Sequence, residues 1–166
     1  KAVKVTLQPI DRFGFDAAII FSDILMVPWA LDRNVRFVTG EGPKLDAMET
    51  GGEITEAMIA GMAPRLTPVA AAISNCRAAL AADKALIGFA GAPWTIITYL
   101  LEGGSSRDFA TARRWMWEND VRFDRLLDLV NLATADFLAL QAEAGADALM
   151  LFDSWASAVP SHLRKK

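Results

Sequence analysis

A chain of 166 residues has the length of one domain, and with 53% hydrophobic and 22% charged residues it has material for a packed core and too little charge for disorder. Seventeen basic against twenty acidic residues leave a net charge of -3, with no basic stripe of the kind that nucleic acid requires, and the longest apolar runs, such as residues 78–82 and 148–152, fall far short of the roughly 20 residues of a membrane span. A single cysteine, Cys76, and a single histidine, His162, provide neither an internal disulfide nor a Cys/His zinc site, and suit a reducing cytoplasm.

In chain order, Gly14-Phe15-Asp16 leads into the apolar run Ala17 to Phe21, followed by Ser22-Asp23. This is the pattern of a buried parallel strand that opens into a polar loop. Val35 to Gly42 alternates Val35, Phe37 and Thr39 before Gly40 and Gly42, and predicts an extended arm or hairpin inserted after the first unit. Gly51-Gly52-Glu53 marks a loop. Thr67 is a good N-cap and Pro68 suits a first helical position, so a helix is expected from Pro68 to about Ala82, with Val69, Ile73, Cys76 and Leu80 on one face.

Asp83-Lys84 then introduces a second strand, Ala85 to Ala90, ended by Gly91 and Pro93. Gly103-Gly104-Ser105-Ser106 closes the following helix, and Asp108 is a candidate start for another. A long helix is expected from near Asp120, carrying Phe123, Leu126, Leu127, Val130, Phe137 and Leu138 on its apolar side and ending before Gly145. Gly145-Ala146-Asp147 leads into a third strand, Ala148 to Phe152, and then Asp153-Ser154, almost a copy of the first unit.

Strands alternating with helical crossovers mean an α/β fold with a parallel sheet, either open and doubly wound or closed into a barrel. A closed (β/α)8 barrel takes about 250 residues, so this chain can supply only three or four of its eight units. Lys1 is preceded by neither methionine nor an apolar signal region, and the chain stops at Arg164-Lys165-Lys166 just after an ordered-looking motif. The expectation is one domain over residues 1–166 that is a fragment, a partial barrel.

Both folds place reacting groups at the C-terminal ends of strands. Asp23, two residues beyond the first run, is the most telling acid. Its competing reading is a cap for the following helix or turn. Tyr99, on a helix just beyond the second strand, can face the same mouth, although a lone tyrosine is more often a core or rim residue. Ser154 can orient a ligand but has no histidine in reach to make it a nucleophile. Asp153 points the other way along an extended strand and reads as structural. The loop Gly103 to Ser106 lacks the lysine and spacing of a phosphate loop. Trp94, Trp115 and Trp117 read as packing or a subunit contact rather than a ligand platform, and His162 has no partners at ligand spacing.

Four blocks together carry a resemblance: Thr6-Leu7-Gln8-Pro9, Phe21-Ser22-Asp23-Ile24-Leu25, Gly88 to Thr95 with Tyr99 and continuing through Glu102-Gly103-Gly104-Ser105, and Phe152-Asp153-Ser154-Trp155. In order and over nearly the whole chain, they resemble the uroporphyrinogen decarboxylase family. The resemblance implies a (β/α)8 TIM barrel, a homodimer in the cytoplasm, and the step of haem (porphyrin) biosynthesis in which the four acetate groups of uroporphyrinogen III lose CO2 to give coproporphyrinogen III without a cofactor. It implies that Asp23 binds the pyrrole N–H groups and stabilises the cationic intermediate, that Tyr99 hydrogen-bonds near Asp23 or a reacting substituent, that Ser154 contacts a substrate carboxylate, and that Phe89 forms a wall of the cleft.

The family's arginine-rich segment would lie upstream of Lys1 and its active-site histidine downstream of Lys166. The chain alone is therefore expected to be inactive. Asp32 and Ser157 stand where the family commonly has glycine, which puts loop shape in doubt there. Two rival readings remain. One is a zinc-dependent corrinoid or thiol methyltransferase of the same superfamily, whose ligands would have to come from absent sequence; the other is an inactive half-barrel that serves as a binding module.

Overall fold

The computed structural model describes residues 1–118 and 121–159; Asp120, His162 and the closing basic residues lie outside them. Helix α1 (Ala2–Phe13) closes at Gly14, whose N–H donates to the Ile10 carbonyl, and a short turn enters β1 (Ala17–Ile19). The chain then forms α2 (Met26–Ala30), the strands β2 (Arg36–Val38) and β3 (Gly42–Lys44), and helices α3 (Glu56–Ala60) and α4 (Ala63–Ala79). Next come β4 (Ala85–Gly91), α5 (Pro93–Glu102), α6 (Ala110–Trp117), α7 (Val121–Glu143) and β5 (Ala148–Phe152).

β1, β4 and β5 form one parallel sheet in that order, with Ile19 opposite Ile87 and Phe89 opposite Met150. The three expected strands therefore pair as parallel neighbours. Each is joined to the next through helices, as parallel strands require. β2 and β3 form a separate antiparallel hairpin, as the alternation around Phe37 predicts.

Side chains alternate across the sheet. Ala18, Ile20, Leu86 and Ala90 are buried under the helices, where Leu66, Ile73 and Cys76 of α4 meet Leu126, Val130 and Phe137 of α7. Each such large side chain contributes about 1.5–3 kcal/mol relative to exposure. The other face carries Ile19, Phe21, Phe89 and Met150; Ile19, Phe21 and Met150 are exposed, and this is the face that lines the interior of a barrel.

The strands enter the sheet through a polar clamp. Asp147 accepts from the Leu86 N–H and from Arg77, and Arg77 also donates to the carbonyls of Leu80, Ala81 and Lys84. The Leu86 N–H bond, against a smaller opposing effect of burial and with help from Arg77, holds the Asp147 carboxyl below the usual range.

Two expectations shift. The helix expected at Pro68 begins about a turn earlier, with Pro64 in its first turn and Pro68 inside it. Pro68 has no N–H for the Pro64 carbonyl, and the Thr67 hydroxyl donates to that carbonyl at 2.8 Å instead. Thr67 thus repairs the helix rather than capping it. α6 likewise starts at Ala110, not Asp108, and its first N–H groups, those of Thr111 and Ala112, donate to Glu102.

Residues 56–79 together form a stretch long and apolar enough, by length and composition, to cross a membrane, which a search for uninterrupted apolar runs passes over. The chain breaks at Gly61-Met62, and α4 packs its apolar side against α1, α7 and β4.

Candidate active site

After Ile20 the chain leaves the sheet, and residues 21–25 cross the C-terminal end of β4. Gly91 permits the crossing, since a Cβ there would stand 2.9 Å from the Ile24 carbonyl oxygen and 2.7 Å from Ile96 Cδ1. Asp23 sits in this crossing, half-buried. Its Oδ1 accepts the Leu25 N–H at 2.7 Å, a local turn of the kind Asp favours, while Oδ2 has no donor among the described residues. The capping reading of Asp23 is met at Oδ1, and this contact leaves Oδ2 open among the described residues.

Clefts of about 520 Å3 and 320 Å3 flank Asp23. Their walls are mostly apolar, with Phe21, Met26, Trp29, Val35 and Phe37 prominent. Phe21 and Phe37 are 61% and 68% exposed, so large rings beside the carboxylate face solvent, as a flat apolar ligand would require. Phe37 is the side chain that the sequence reading missed as a cleft residue. The signal was present, because the alternation that predicted the hairpin also puts Val35 and Phe37 on one side of it.

Tyr99 lies on α5, 7% exposed, and senses Asp23. Burial pushes its hydroxyl pKa up, the Asp23 charge pushes it further, and a hydrogen bond with the Trp155 side chain opposes both. Tyr99 is thus held neutral and keeps its proton to donate. Phe89 is 8% exposed on the barrel-interior face and meets Phe152 edge-on, with ring centroids 5.3 Å apart. Ser154 is exposed in the turn after β5. The Asp23 charge reaches Tyr99, but Phe89, Tyr99 and Ser154 do not line the clefts around Asp23.

The other marked residues have structural partners. Asp153 accepts from the buried Thr95 hydroxyl at 2.8 Å, and the Trp94 indole donates to the Trp155 carbonyl. Trp115 is buried with the Arg122 guanidinium over its ring. Gly103 caps α5 and accepts from the Leu45 N–H, while Gly104 bridges to Lys44. That glycine loop is committed to the hairpin.

The sequence profile of the family described as Uroporphyrinogen decarboxylase (URO-D) matches residues 1–164. The chain belongs to the uroporphyrinogen decarboxylase family. It is 46% identical to uroporphyrinogen decarboxylase of Rhodospirillum rubrum over 159 residues, which is 96% of this chain and 46% of that protein. It is 49% identical to that of Caulobacter vibrioides over 164 residues, 98% of this chain and 46% of the relative. The chain thus spans about half the length of the curated decarboxylases it matches. Among solved structures, a methyltransferase from Methanosarcina mazei superposes with a TM-score of 0.73 over 92% of this chain and 44% of its own, at 18% identity. At that identity the likeness shows the fold alone. The three parallel strands and their helices are part of a TIM barrel, the fold of this family.

Proposed function

We propose that this chain is part of a uroporphyrinogen decarboxylase and carries the carboxylate at the centre of its reaction, converting uroporphyrinogen III to coproporphyrinogen III. The observation that carries the reading is the position of Asp23 at the C-terminal end of the parallel strands, between apolar clefts and with its charge reaching Tyr99, in a chain of this family.

Each step removes one acetate carboxyl. A proton added to a pyrrole ring carbon makes the ring cationic, and the electron pair of the breaking C–CO2 bond flows into that cation as CO2 leaves. A proton then completes the methyl group and the ring carbon gives its proton back, so each acetate consumes one proton net. No redox partner enters this balance, and the reading is of a cofactor-independent carboxy-lyase. The Oδ2 of Asp23 accepts from the converging pyrrole N–H groups, and its charge opposes the cation as it forms. Tyr99, keeping its proton, donates near Asp23 or to a substituent at the reacting ring. Ser154, exposed beyond β5, offers a hydroxyl to a substrate carboxylate, and Phe89, on the barrel-interior face, offers its ring to the macrocycle.

The substrate carries eight carboxylates, and a chain of net charge -3 does not neutralise them. Apart from the contact at Ser154, carboxylate binding therefore falls to the rest of a longer protein, working in the cytoplasm as a homodimer, and residues 1–166 alone do not turn over. A zinc-dependent methyltransferase would likewise need ligands from outside this chain, and the structural likeness to one extends to the fold only.

The test is anaerobic turnover of uroporphyrinogen by the full-length protein, with product analysis. Asp23→Asn is expected to lower kcat about a hundredfold or more while KM changes far less. Full activity in that variant, or methyl transfer in place of CO2 release, overturns the proposal.

A further inference from the structure

The ladder between β1 and β4 stops one step short. Its last bond runs from the Ile20 N–H to the Ile87 carbonyl at 3.0 Å. Carried on in the same register, the Phe89 N–H would take the Ile20 carbonyl, and the Ser22 N–H would donate to the Phe89 carbonyl. Neither bond is made.

Both polar groups of Phe89 turn instead to one side chain. The Phe89 N–H donates to Gln141 Oε1 at 2.9 Å, and Gln141 Nε2 donates to the Phe89 carbonyl at 2.9 Å. Gln141 comes from the last turn of α7 and is fully buried. Its amide thus stands in for a strand, one acceptor and one donor where β1 would have placed its own. Gly88 makes room, since a Cβ there would lie 2.8 Å from Gln141 Oε1. On the opposite edge of β1, the Phe21 N–H donates to the buried Thr6 hydroxyl of α1 at 2.9 Å. The segment that carries Asp23 is released from the sheet on one side and tethered on the other.

Buried backbone groups have to be paired. Without the amide, the cheapest partners for Phe89 are Ile20 and Ser22, and taking them would pull Ser22-Asp23 back into the ladder.

We propose that Gln141 is a positioning residue for Asp23: by replacing β1 as the ladder partner of Phe89, it keeps the strand end splayed and the carboxylate over the mouth. The claim rests on the decarboxylase reading for its kinetic consequence, but not for its structural one.

The experiment uses the full-length protein with Gln141→Met, which keeps size and loses both bonds, and Gln141→Glu, which keeps an acceptor for the Phe89 N–H. A displacement near 1 Å at a reacting group can cost about a hundredfold. Gln141→Met is expected to lower kcat by about that factor with KM little changed, and Gln141→Glu to recover part of it. A residue that only stabilised the fold would leave kcat per folded enzyme unchanged, and that result overturns the proposal. Should Gln141→Met fail to fold, Gln141→Asn, which keeps the amide but withdraws it by one methylene, decides: kcat equal to wild type is the overturning outcome, and a selective fall in kcat the supporting one. Crystal structures of the variants separate this claim from the function. If the wild-type protein decarboxylates nothing, the functional reading falls, and the positioning claim still stands or falls on whether the Asp23 carboxylate moves by more than about 0.5 Å.

Discussion

Asp23 closes its turn with one oxygen only: Oδ1 accepts the Leu25 N–H, while Oδ2 has no donor among the described residues and is the atom to which the proposed chemistry falls. Its charge also reaches Tyr99, the one tyrosine of the chain. Removing that charge takes away one of the two causes that raise the Tyr99 pKa, so Asp23→Asn is expected to shift tyrosinate formation to lower pH. Absorbance titration of the 166-residue chain reads this from a single group, and an unmoved titration would show that the two side chains are not coupled. The same scale explains Asp32, a position where the resemblance leads to the expectation of glycine. Its φ is 58°, in the left-handed region, where glycine is free of strain and Asp is among the better-tolerated alternatives. An ion pair with Arg65 accompanies it. For Ser157, in the short 3-10 turn Ala156–Ala158, the structure offers no corresponding reason.

Among the elements, the loop that links the hairpin to α3 is organised by Glu53. Its Oε1 accepts the N–H groups of Glu49 and Thr50 at 2.8 and 3.0 Å. Burial alone would raise the pKa, but these backbone donors outweigh it and lower it from 4.5 to about 2. A depressed folded-state pKa means that the carboxylate stabilises the fold in full above about pH 4.5 and loses that contribution as pH falls toward 2. Denaturant unfolding is therefore expected to show Glu53→Gln less stable than wild type near neutrality, with the gap closing through this window. A gap that stays constant with pH would refute the assignment. The hairpin itself reads differently as an element and in place: alternation reveals two strands, but only packing shows that Phe37 lies beside Asp23.

For the whole molecule, the three-stranded sheet has β1 and β5 at its edges, and Leu149, Met150 and Leu151 of β5 are 43%, 42% and 50% exposed. An uncovered apolar edge strand pairs readily with another chain. The 166-residue chain is expected to self-associate with rising concentration, and Leu149→Lys with Leu151→Lys is expected to suppress it. Sedimentation velocity that shows only monomer for the unaltered chain at every concentration would sink this expectation.

The strands, their parallel sense and the position of the candidate acid were legible in the sequence, because each depends on local pattern: an apolar run of strand length, a glycine or aspartate before it, a polar or turn-forming residue just after. The family blocks add Tyr99 and Ser154 by position. What the tertiary structure decided are matters of distance between remote residues. Thr67 and Pro68 looked like the start of a helix because the bond from the Thr67 hydroxyl to the Pro64 carbonyl is hidden in the sequence, and nothing in the sequence singled out Gln141. Its partner, Phe89, lies 52 residues away. Sequence pattern registers which face a side chain takes, since that follows from the periods of helix and strand. It does not register where a ladder stops, because that depends on which buried group, strand or side chain satisfies the last unpaired N–H and C=O.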